Sequence, residues 1–272
     1  MTAATKKRPW MTSTIQAKLN RALNKNIYSV VVDQIYGGYL GNYMVFVNLH
    51  KPPPRIRRTF LSSFYAMEYL GLTLFDISSF LRLYFATWRE TGGITGLPFL
   101  KAAILVAHES ASGIQMVFGR SMHEAMTLHL KAVREVSGER MDDRYYAAQK
   151  VFIRKTRMVE RETRVVRNTV IGHRFPTKRL SSLELGLNCD KYVKLLMHYQ
   201  DTLMTFQGVI HAVGIAAAHN LAPSGSNRVR ELSEEIRFAN VRIQKMLKWS
   251  GRAGIWRKHP RPDPNQLTLP VR

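Results

Sequence analysis

Residues 142–166 read DDRYYAAQKVFIRKTRMVERETRVV, and this stretch decides the fold class. It holds neither Gly nor Pro, so nothing in it breaks a helix. Among its apolar residues, Val151, Phe152, Met158, Val165 and Val166 lie away from the basic positions and are expected to face a core. Asp142 or Asp143 stands where a helix cap is expected. Lys150, Arg154, Arg157, Arg161 and Arg164 follow one another at alternating spacings of four and three. Residues three and four apart are neighbours on a helix surface, so these five cations form one stripe. Glu160 and Glu162 are the only acids within it, so the stripe reads as poorly compensated. A like-charge ladder costs a few tenths of a kcal/mol per pair unless a polyanion answers it, which points to a polyanion partner.

The flanks repeat the helical pattern. Downstream, Ser181-Ser182-Leu183-Glu184 has the form of a capping box. Tyr192, Leu195, Leu196, Tyr199, Leu203, Phe206, Ile210 and Val213 then recur at helical spacing. Residues 222–226 form a linker, and Val229, Leu232, Ile236, Ala239, Ile243 and Leu247 mark one more amphipathic helix. Upstream, Pro98 suits the first turn of a helix running towards Ser137. Residues 91–96 are a Gly-rich break, and 59–90 read as a buried helix. The stretch 51–58, KPPPRIRR, reads as a stiff cationic connector. No strand-like alternation and no internal repeat is evident. The expected fold is therefore all-α, a helical bundle with basic tails. Its expected parts are a basic tail at 1–26, a helical region at 27–97, a bundle at 98–249 and a Pro-rich basic tail at 250–272.

The composition agrees with a folded chain that meets a polyanion. Among 272 residues, 45 % are hydrophobic, and 41 Lys+Arg face 19 Asp+Glu for a net charge of +22. That apolar share excludes a disordered polyelectrolyte. The charge selects RNA, DNA or an anionic membrane surface as partner. Phe206 to Ala218 is too short to span a bilayer, and Ile27 to Leu49 carries Asp33, Gln34, two Asn and three Gly. Residues 1–26 lack an apolar signal core; they fit an organelle transit peptide or a basic nucleic-acid-binding arm. The lone Cys189 excludes an internal disulfide and points to a reducing compartment, so the expected location is the cytoplasm.

Directly after the stripe comes Arg167-Asn168-Thr169-Val170-Ile171-Gly172-His173. Arginine pairs bidentately with phosphate and stabilises charge developing at phosphorus. Histidine titrates near neutrality and can move the 2′-hydroxyl or leaving-oxygen proton. Spacing alone is not distinctive, since Arg252 and His259 make a decoy in the C-terminal tail. What separates the 167–173 copy is the polar Asn168, the apolar middle, the small residue before His173 and the adjoining stripe.

Arg167-Asn168 through His173, continuing as Arg174-Phe175, resembles the active-site motif of the HEPN superfamily. That resemblance implies an all-α bundle that dimerises with two motifs facing each other. It implies metal-independent endoribonuclease activity leaving a 2′,3′-cyclic phosphate, in toxin or phage-defence effectors, some with a cognate antitoxin. Carried over, Arg167 polarises the phosphate, Asn168 supports it and His173 is the acid/base. The stripe with Arg174, Lys178 and Arg179 would hold the RNA backbone. On an unbroken helix Arg167 and His173 would lie about 120° apart. Either the helix breaks near Gly172 or two subunits join their motifs, and a homodimer is expected. The alternative is a non-catalytic nucleic-acid-binding module or scaffold; a weaker third reading is a protein of the membrane surface.

Other candidates carry less. His211 and His219 are read as packing histidines, because zinc wants a third ligand and closer spacing. His108-Glu109 and His123-Glu124 lack the HExxH spacing. The aromatics from Phe60 to Phe85 are assigned to the core. No Walker A or dinucleotide fingerprint occurs, so neither cofactor nor metal is expected.

Overall fold

The computed structural model describes residues 51, 53–91, 96–138, 140–168, 189–220 and 227–251. Among these, six helices and no strands form an all-α bundle: α1 (Pro54–Thr91), α2 (Leu97–Val117), α3 (Arg120–Ser137), α4 (Asp142–Val166), α5 (Cys189–Asn220) and α6 (Asn227–Gly251). The expected tail at 1–26, the region 27–50, the linker at 222–226, the capping box at 181–184 and the expected 250–272 tail, apart from residues 250 and 251 at the end of α6, lie outside the described residues.

α5 is the centre of the bundle and packs against α1, α3 and α6. All eight of its periodic apolar residues, from Tyr192 to Val213, are buried. Val209, Ala212, Ala216 and Ala217 are buried as well, so α5 is apolar over most of its circumference, as a central helix must be. Phe206 of α5 stacks on Phe152 of α4 at 4.3 Å between ring centroids and 11° between planes. Phe118, at the α2–α3 junction, meets both rings at 5.4 and 5.5 Å. The same buried cluster takes residues from every described helix, α1 included.

Several buried polar side chains tie one helix to another. Gln207 Nε2 donates to the Met67 carbonyl at 3.1 Å, and Gln200 donates to Ser78. Ser110 and Tyr199 share a hydroxyl bond of 3.1 Å. These bonds fix which turn of α5 faces which turn of α1 and α2, because a shifted register would leave several buried groups unpaired.

Five expectations are corrected, the first being that the aromatics from Phe60 to Phe85 lie in the core: Tyr65 is 60 % exposed and Phe75 37 %. The segment expected to run as one helix to Ser137 is two helices, α2 and α3. They divide at Gly119, whose backbone is extended at φ −74°, ψ −164°. Asp142 and Asp143 do not cap α4; Met141 holds that position, and both aspartates lie in the first turn, where their charge meets the positive end of the helix dipole. The 51–58 connector is not extended throughout: α1 begins at Pro54, so Arg55, Arg57 and Arg58 are helical. A proline with its preset φ suits the first turn, where its missing N–H is no loss. Finally, Val165 is 59 % exposed rather than core-facing. At about 100° per residue it falls beside the stripe, whereas Val151, Phe152, Val159 and Val166 face inward. The end of α3 follows the common pattern for helix ends: Gly138 sits at φ 70° and donates to the Arg134 carbonyl at 2.9 Å.

Candidate nucleic-acid interface

α4 carries the candidate surface. Its buried face is Tyr145, Ala148, Val151, Phe152, Thr156, Val159, Thr163 and Val166. The five stripe cations are all exposed. At about 100° per residue they centre on the direction opposite that buried face. From Lys150 to Arg164 the stripe covers roughly 21 Å of helix.

Its electrostatics differ from end to end. Lys150 and Arg154 have no acidic partner among the described residues. Behind them Lys155 is half-buried, and its amine is held below the ordinary lysine range by burial first and by the Arg154 charge second. Arg157 sits over Gln115 of α2; with the amide oxygen turned towards it, Nε and Nη2 both donate at 3.1 Å. Arg164 pairs with Glu160 at 2.9 Å. Glu162 lies 3.8 Å from Arg161 but is held at 2.9 Å by Lys191 of α5. Both acids of the stretch thus lie in its C-terminal half, where Glu162 is shared with Lys191, and its N-terminal half is left open. Exposed pairs of this kind are worth about 0.2–1 kcal/mol, so a phosphate can displace them.

The regular helix ends at Val166, and Arg167 and Asn168 continue in a wider, π-type turn. Arg167 is half-exposed; its Nε donates to Glu109 Oε1 of α2 at 3.4 Å, and its Nη1 donates to Asn168 Oδ1 at 3.3 Å. Arg167 and Asn168 are therefore brought together at the end of the stripe. His173, Arg174, Lys178 and Arg179 lie outside the described residues. The break expected near Gly172 does as well.

Sequence reasoning missed Glu109, which it set aside with His108 for want of metal-site spacing. His108 is 8 % exposed and its Nδ1 lies 3.0 Å from Thr163 Oγ1. Thr163 gives its own proton to the Val159 carbonyl at 2.7 Å, so it accepts from His108 Nδ1–H, which fixes that tautomer. No local sequence pattern signals this arrangement, because His108 and Glu109 share α2 with other polar residues such as Ser110, Ser112 and Gln115.

The remaining candidates lie on α5 rather than on α4. His211 is largely enclosed; burial and the nearby Arg242 lower its pKa to about 4. The His219 side chain lies outside the described residues. Burial raises the Cys189 thiol above its usual range. Among the described residues no three His, Cys, Asp or Glu side chains gather as a metal site would require. Nor, among them, is any helix long and apolar enough to cross a membrane. No family model, no curated protein and no solved structure matches the chain.

Proposed function

We propose that the protein binds RNA along α4 and cleaves it by 2′-hydroxyl transesterification, in the manner of the HEPN superfamily its motif resembles. The observation that carries this reading is positional. An exposed cationic face on the side of α4 away from the core leads to an exposed Arg167 with Asn168 beside it. The stripe places phosphates, Arg167 stabilises charge at the scissile phosphorus, Asn168 orients it and His173 moves the proton. In this reading the active unit is a homodimer that joins two motifs, and the role is that of a cytoplasmic toxin or phage-defence effector with a cognate antitoxin as candidate partner. A chain that scatters light as a monomer at micromolar concentration contradicts the joint site.

The chemistry has its own test. A strand of the same sequence with 2′-deoxyribose binds with comparable salt sensitivity and is not cut, because it lacks the nucleophile. Cleavage of the deoxy strand overturns the mechanism.

A second reading, a non-catalytic nucleic-acid-binding module or scaffold, is favoured by one observation. The cationic face of α4 is complete without any histidine. A His173→Gln change separates the two: a binding module tolerates it and a nuclease does not.

A further inference from the structure

An open groove of about 850 Å³ lies between the first turns of α1 and α3. Arg55, Arg58 and Tyr65 of α1 line one wall, and His123, Glu124 and Thr127 of α3 line the other. Both arginines are exposed, and Tyr65 is 60 % exposed although neighbouring Phe60 and Phe64 are buried. α1 has no acidic residue in its first turn, so its positive dipole end and two guanidiniums reinforce each other. Glu124 is the one carboxylate among these lining residues, and Arg120 holds it at 2.8 Å.

The groove is joined to the stripe through Tyr146. The Tyr146 ring lies 5.3 Å from the His123 ring, and its hydroxyl lies 2.7 Å from Thr127 Oγ1. Tyr146 is also one helical turn before Lys150 on α4, on the stripe's own side. Cations and aromatic rings therefore run from Arg164 down α4, across the half-buried Tyr146 and the exposed His123, to Tyr65 and Arg58.

We propose that this groove is a subsite for single-stranded RNA that continues the α4 stripe; it rests on the RNA-binding reading above. Arg55 and Arg58 offer forked donors to two phosphates. The Tyr65 ring offers a face on which one base stacks, which needs an unpaired strand because duplex bases keep their faces covered. A cationic groove beside an exposed aromatic ring is the arrangement that holds single strands without reading sequence.

The test uses the full chain and labelled single-stranded RNAs of about 4 to 16 nucleotides, the range of site sizes for single-strand binders. Binding is measured by anisotropy for wild type, Tyr65→Ala, Tyr65→Phe, the Arg55→Ala/Arg58→Ala pair and the stripe pair Arg154→Ala/Arg161→Ala. The proposal expects Tyr65→Ala to weaken the longest strand about tenfold, with the loss shrinking as the strand shortens. Tyr65→Phe keeps wild-type affinity, since the ring and not the hydroxyl is used. The Arg55/Arg58 pair makes the salt slope shallower by about 1.4 on the longest strand. If the groove variants match wild type on every length while the stripe pair weakens binding, the groove proposal is overturned and the RNA reading stands. If wild type binds no strand, both are overturned.

Discussion

Arg167 Nε lies 3.4 Å from Glu109 Oε1, so the arginine at the end of the cationic stripe is occupied by a carboxylate from α2. One turn earlier, His108 and Thr163 make a parallel rung at 3.0 Å between the same two helices. The buried rung fixes the end of α4, and the exposed one sets the direction of the guanidinium. Both partners of the exposed pair are about half open to water, so the pair holds the arginine loosely. In the account above, Glu109 stands where a phosphate oxygen would come.

Glu109→Gln therefore leaves the fold intact, with stability within about 0.5 kcal/mol of wild type. RNA affinity rises about two- to fivefold at low salt, the equivalent of losing one exposed competing pair. Titration of both proteins with the same RNA checks this. A fall in affinity would show that Glu109 contacts the substrate rather than competing with it.

Binding by the stripe leaves a signature in salt. On a strand short enough to contact the stripe alone, five phosphate contacts give a slope of log affinity against log salt of about −3.5. Replacing Arg154 and Arg161 together brings it to about −2.1 and leaves the cleavage products unchanged. A wild-type slope near zero removes the stripe from the account.

Acid destabilises the bundle through its buried histidines. His129 is 2 % exposed, sits 4.5 Å from the Phe60 ring and has no hydrogen-bond partner for either ring nitrogen among the described residues. Burial lowers its pKa from 6.5 to about 4. Between those values the unfolded chain takes up a proton that the folded chain does not. Stability is thus full above pH 6.5, falls as pH drops and levels off below about 4. The loss is about 1.4 kcal/mol per pH unit for each such histidine, and His211 adds to it in the same window. His129→Leu removes one contribution along with two unpaired nitrogens, so the variant gains about 2 kcal/mol over wild type between pH 7 and pH 5. Urea unfolding at the two pH values measures it; equal pH slopes for the two proteins would contradict it.

The extent of α4 was legible from sequence because twenty-five residues without Gly or Pro carry a single apolar face. α5 was legible because its periodic apolar residues are all buried. The division at Gly119 was not, since one glycine among good helix formers is compatible with either a continuous or a broken helix. Arg167 and Asn168 stood out by their place after the stripe. Glu109 did not, because its partner is 58 residues away and no local pattern encodes a contact between helices. Tyr65 was assigned to the core with its aromatic neighbours; on α1 it turns outward while Phe60, Phe64 and Met67 turn in.

The most direct measurement is incubation of the purified chain with end-labelled RNA in EDTA, wild type beside His173→Ala. The account predicts cleavage by wild type alone, with 2′,3′-cyclic phosphate ends, and salt-sensitive binding by both proteins. Equal cleavage by the two, or binding without cleavage by either, would contradict it.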